Sequence, residues 1–153
     1  MKMLILRGNA GWYGGREWKH GALDEPSAFA YAKEVGFEPM PVDEPGGSYQ
    51  GSPQVREALR LYRKHADVTA LYGFSGGGYA IHWMLDKMSP EELKRLKLVV
   101  VLGAPIARPG YVYKGKYNGT WRLEYREDPA GPNGHMRGPS DLLEEVRSSA
   151  KKP

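Results

Sequence analysis

"VTALYGFSGGGYAIHWML", residues 68–85, decides how the rest of this chain is read. Val68 to Tyr72 is a short apolar run, the pattern of a strand covered on both faces. A run with the character of a helix begins a few residues later. Between them stand Gly73, Ser75 and the triplet Gly76-Gly77-Gly78. Such a stretch is either a plain flexible turn or a sharp bend that holds one serine between a strand and a helix. Its two flanks favour the bend.

Working outward, similar apolar runs occur at Met3 to Leu6 and Leu98 to Leu102, with turn residues behind each. Helix signals fill the gaps. Asp24 can cap a helix with Pro26 in its first turn, stopping at Gly36. Ser52-Pro53 opens a second with Val55, Leu59 and Tyr62 on one face. Ser89-Pro90-Glu91-Glu92 has capping-box spacing for a short third. Phe37 to Val42 reads as a further strand, and there Pro39 and Pro41, two apart, remove N–H groups along one side. Only a strand with a free edge tolerates that. Trp121 to Arg126 fits a fifth strand, and Asp141 to Ala150 a closing helix capped by Ser140. The alternation predicts an α/β fold: a three-layer sandwich whose mostly parallel five-stranded sheet has the order 2-1-3-4-5, with helices on both faces. Asn118-Gly119, between "YVYKGKY" and "TWRLEY", is a hairpin signal that leaves residues 111–117 open as a flap beside the fifth strand.

The bulk composition narrows the function. With 153 residues, 41% of them hydrophobic, the chain suits a single domain over 1–153. No cysteine is present, which excludes disulfides, thiolate metal sites and a cysteine nucleophile, and the four histidines are scattered. Neither a metal nor a cofactor is expected. The net charge of +4 comes from Lys and Arg spread over most of the chain, so nucleic-acid binding is disfavoured. There is no G-x-x-x-x-G-K-[ST] and no G-x-G-x-x-G opening a helix after a strand, so no phosphate cradle is expected. No apolar run reaches about 18 residues. Met3 to Leu6 is too short for a signal peptide, and a cytoplasmic protein without membrane insertion is expected.

The chemistry centres on Ser75. Gly73-Phe74-Ser75-Gly76-Gly77 is G-x-S-x-G, the pattern of a nucleophile elbow. The serine takes a strained turn, and the residues two before and two after approach too closely for side chains. Gly73 and Gly77 fill those places, and the Gly76 N–H lies at the helix start, aimed at an oxygen beside Ser75. Gly78 receives no role. Serine also needs a base. His65 precedes the third strand, at the wrong edge of the sheet, and His82 follows Ser75 by seven residues, about 10 Å along a helix. His20 and His135 both lie on the correct edge, His135 in a loop long enough to fold back. Among the acids, Asp67 is at the wrong edge, Asp24 and Asp141 suit helix ends, Asp86 is in the helix, and Asp43 is demoted because it sits two strands from the serine strand. Asp128 directly follows the fifth strand. The order Ser75, Asp128, His135 is the chain order of an α/β-hydrolase triad.

"LILRGNAG" (4–11), "YGFSGGG" (72–78), "VVVLGAP" (99–105) and "EYREDPAGP" (124–132) resemble the corresponding strand ends of the minimal, lidless α/β-hydrolases, the cutinase-like serine esterases in particular. The resemblance implies Ser75 as nucleophile, His135 as its base and then acid, and Asp128 as the group orienting the imidazole. It also implies Asn9 as a second oxyanion donor beside Gly76. Cutinases usually carry Gln after the serine, a disulfide near the acid, a secretion signal and a longer acid-to-histidine spacing. Gly76 and the absence of cysteine depart from that pattern, away from a secreted polyester-degrading role.

Trp12, Tyr13, Trp18, Tyr111 and Tyr113 follow strand ends on the expected site edge and are candidate substrate walls, equally readable as packing. The expected activity is hydrolysis of a small or polymer-borne carboxylic ester, with thioester and amide open. A second reading is a non-catalytic module of the same fold, in which "YVYKGKYNGTWR" (111–122) contacts an anionic polymer or a protein partner.

Overall fold

The computed structural model describes residues 1–6, 25–42, 44, 51–104, 121–126, 143–144 and 146–147. In chain order the elements are β1 (Lys2–Leu6), α1 (Glu25–Glu34), β2 (Glu38–Pro41), α2 (Pro53–Lys64), β3 (Val68–Phe74), α3 (Gly76–Lys87), α4 (Pro90–Lys94), β4 (Leu98–Leu102) and β5 (Arg122–Arg126). The five strands make one sheet in the order β2-β1-β3-β4-β5, and every pairing is parallel. The order is the one that the sequence predicts.

Residues alternate between the two faces of the sheet, and both faces of the inner strands β1, β3 and β4 are covered, which is why these strands are buried along nearly their whole length while the border strands β2 and β5 carry charged residues. On β4, Val99 and Val101 enter a core shared with Val55, Leu59 and Tyr62 of α2, Ile81 and Met84 of α3, and Leu93 of α4. Leu98, Val100 and Leu102 enter a second core with Ala28, Tyr31 and Ala32 of α1 and with Leu143 and Val146. Leu143, Glu144, Val146 and Arg147 have helical backbone, and Arg147 ties this segment to α1 by an ion pair to Glu34 at 2.5 Å. The layers are thus helix, sheet and helix.

The border strand explains its prolines. Glu38 N–H donates to Met1 O at 2.9 Å and Val42 N–H to Ile5 O at 3.0 Å. Even-numbered residues of β2 therefore face β1, and Pro39 and Pro41 face the side on which none of the described strands pairs. The missing donors fall where no ladder needs them, and the edge is poor at recruiting another strand.

Helix starts follow the predicted signals. Ser52 Oγ accepts from Val55 N–H at 3.3 Å, and Ser89 with Glu92 forms the reciprocal capping box, at 3.1 and 3.0 Å. Two differences concern strand ends. β3 runs two residues past Tyr72, because Gly73 still pairs with Leu6 and Val101, and Phe74 with Leu102. β2 is one residue shorter at each end than Phe37 to Val42. The expected caps Asp24 and Ser140, and the hairpin across 111–120, lie outside the described residues. Among the described residues, no helix is long and apolar enough to cross a membrane.

Candidate active site

Ser75 follows the end of β3, near the centre of the sheet, and α3 begins at the next residue. Its N–H donates to Leu102 O at 3.0 Å, which carries the β3–β4 pairing one residue beyond the strand. Its own carbonyl accepts from Gly78 N–H at 2.9 Å and Tyr79 N–H at 3.2 Å, closing the first turn of α3. The backbone thus reverses from extended to helical around one residue. Ser75 has φ 56° and ψ −119°, and among the described residues it is the one non-glycine with positive φ. That region is strained for any residue with a Cβ.

Two other serines give an internal comparison. Ser52 and Ser89 also precede helices, have φ −62° and −73°, and cap them through the hydroxyl. The Ser75 hydroxyl makes no such cap. An N-terminal serine ordinarily supplies an acceptor to the helix it precedes; Ser75 is bent out of that role.

The neighbouring glycine is a steric requirement. A Cβ on Gly73 would lie 2.5 Å from both the carbonyl carbon and the oxygen of Gly77, and 2.7 Å from Gly78 N. These are backbone atoms with nowhere to go, so the close approach that G-x-S-x-G predicts between its first and last positions is present. The next N–H groups belong to Gly76 and Gly77, ahead of the first donors that the Ser75 carbonyl takes up, at the helix end where no preceding turn supplies acceptors. No acidic side chain stands in that turn, so nothing there opposes the positive end of the helix dipole. The arrangement can hold a hydroxyl beside a donor suited to an oxyanion.

The structure brings Ser75 and Gly76 together. β1 and β5 end at Leu6 and Arg126 on the same edge of the sheet, and Leu6 lies directly beside Gly73. The segments carrying Asn9 and Asp128 leave from those ends. Asn9, Trp12, Tyr13, Tyr111, Asp128 and His135 themselves lie outside the described residues, as do Trp18, His20, Asp43 and Tyr113. β2 and β5 are each two places from β3, so strand count treats Asp43 and Asp128 alike; the preference for Asp128 rests on chain order and resemblance.

The rejected groups sit where the sequence puts them. His65 ends α2, its N–H bonded to Leu61 O at 2.9 Å, and Asp67 pairs with Lys2 at 3.4 Å. Both are at the edge where β1 and β3 begin. His82 is half-buried on α3 with its ring centroid 4.3 Å from that of Trp83. Burial pushes its pKa below the ordinary value, partly opposed by Asp86. Among the described residues no three His, Asp or Glu side chains cluster as metal ligands would.

Comparison with solved structures agrees with this architecture. A cutinase of Trichoderma reesei, in complex with a phosphonate inhibitor, aligns over 95% of this chain and 73% of its own, with TM-score 0.60 and 15% identity. A protein of Xanthomonas campestris pv. campestris, given as a candidate hydrolase of the α/β superfamily, aligns over 97% and 99% of the two chains, with TM-score 0.51 and 15% identity. This chain has the α/β-hydrolase fold. No family model and no curated protein matches its sequence. At 15% identity this likeness shows the fold alone. Within that fold Ser75 and its glycines occupy the junction of central strand and helix that their spacing predicts.

Proposed function

We propose that this protein is a serine hydrolase acting on carboxylic esters through an acyl-enzyme on Ser75. The observation that carries the proposal is the backbone of Ser75, at positive φ and released from capping its helix. A fold keeps such strain where another requirement over-determines it, and a nucleophile presented at a helix N-terminus is such a requirement.

In this reading Ser75 Oγ attacks the ester carbonyl carbon while His135 takes the hydroxyl proton, with Asp128 holding the imidazole in the accepting tautomer. The carbonyl oxygen becomes an oxyanion and is met by the N–H groups of Gly76 and Asn9. The carbon–oxygen bond to the leaving alcohol breaks, and His135 returns the proton to that alcohol. Water then repeats the sequence on the acyl-enzyme, releasing a carboxylic acid and restoring Ser75. Trp12, Tyr13 and Tyr111 would line an open site for a small or polymer-borne acyl group.

The test is pre-steady-state hydrolysis of p-nitrophenyl acetate. An initial burst of nitrophenolate approaching one equivalent per chain is expected, absent in Ser75→Ala, with His135→Ala lowering turnover by about a thousandfold or more. A burst that persists in Ser75→Ala would assign the activity elsewhere.

A further inference from the structure

Gly78 belongs to the glycine run but not to the elbow pattern, and a glycine inside a helix costs about 1 kcal/mol relative to alanine. Its surroundings supply the reason. A Cβ on Gly78 would lie 2.5 Å from the Cβ of Ala104 and 3.1 Å from Cγ1 of Val101. The first distance is roughly 1 Å short of an ordinary carbon–carbon contact. Val101 can adjust its rotamer. Ala104 cannot, because no torsion moves one Cβ relative to its own backbone, so room for a methyl at position 78 comes only from a backbone shift.

Which backbone yields follows from how each is held. Gly103 N–H donates to Arg126 O at 2.9 Å, and β4 is paired on both sides. Ala104 itself is fully buried. Facing it, α3 opens with three residues that have no side chain to anchor them. The first turn of α3 therefore moves, and that turn carries the Gly76 N–H and continues directly from Ser75.

We infer that the Gly78–Ala104 contact is a seat that sets how closely the nucleophile's helix approaches the sheet, making Gly78 and Ala104 positioning residues for the Ser75 hydroxyl and the Gly76 N–H. The inference rests on the hydrolase reading above. It places part of the site's geometry outside G-x-S-x-G, at the residue where β4 hands over to the segment that carries Tyr111.

The experiment compares wild type, Gly78→Ala and Gly78→Ala/Ala104→Gly in the full chain, by p-nitrophenyl acetate turnover and by the backbone amide resonance of Gly76. A misplacement near 1 Å predicts that folded Gly78→Ala loses about 10- to 100-fold in kcat with KM little changed. Its Gly76 resonance shifts. Removing the opposing methyl in the double variant restores kcat to within about threefold of wild type and returns the resonance. Should Gly78→Ala not fold, recovery of folding on adding Ala104→Gly supports the seat, and no recovery overturns it. Wild-type kcat and an unmoved Gly76 amide in Gly78→Ala, or a double variant as impaired as the single one, also overturns it. Because the amide reads the seat without catalysis, a wild type lacking esterase activity would remove the hydrolase reading while the seat is still decided by the resonance.

Discussion

At Ser75 the fold carries backbone strain that costs about 1–3 kcal/mol for a residue with a Cβ. Glycine adopts the same φ without that penalty, though it orders a more flexible unfolded chain. Ser75→Gly is therefore expected to be more stable than Ser75→Ala by about 1 kcal/mol, read as a higher urea midpoint at unchanged m. Equal midpoints would mean that the backbone at Ser75 is unstrained. The residue scale also shows what the sequence could disclose. Gly73 and Gly77 are legible because the spacing around the serine is itself a steric rule. Gly78 is not, because the atom that forbids its Cβ belongs to Ala104, brought beside it by sheet packing and not by proximity along the chain. Nor is the sign of φ legible: Ser52, Ser75 and Ser89 all precede helices, and the first and last are ordinary caps.

Among the elements, the link between α2 and α4 is the clearest electrostatic feature. Glu92 accepts from Arg63 at 2.8 Å and from the Ser89 N–H at 3.0 Å, and chiefly the Arg63 bond holds its carboxyl down to about 2, from an ordinary 4.5. Nearby, Arg95 stacks over the Tyr62 ring at 3.8 Å and bonds Tyr62 O, while Tyr62 Oη donates to Glu92 O at 2.7 Å. A carboxyl whose pKa is depressed by folding stabilises the native state above its unfolded pKa and ceases to do so as protons occupy it. Stability from Glu92 is thus complete above pH ~4.5 and lost toward pH ~2. The Arg63 side chain is 51% exposed, so screening reduces the effect to about 1 kcal/mol. Wild type should lose about that much more than Glu92→Gln between these pH values in urea titrations, less at high salt; coincident pH profiles would remove the pair as a stabilising contact. Both caps of this region were legible, since Ser52-Pro53 and Ser89-x-x-Glu92 are local signals. The end of β3 was not, because Gly73 reads as the start of a turn although it still pairs on both sides.

For the whole molecule, the sheet order could be read from two facts of the sequence: alternating strand and helix patterns, and a strand with two prolines that must lie at a border. Each is tied to a physical restriction, and the parallel order β2-β1-β3-β4-β5 satisfies both. The choice of acid is less well determined by topology, since β2 and β5 are equally far from β3. The fold reduces the functional question to whether the strained serine reacts as a nucleophile. Treatment of the intact protein with a fluorophosphonate, followed by intact mass and peptide mapping, answers it most directly. The proposed mechanism predicts one adduct per chain, mapped to Ser75, absent from Ser75→Ala and greatly slowed in His135→Ala; folded wild-type protein that gains no mass, or gains it at another residue, would contradict it.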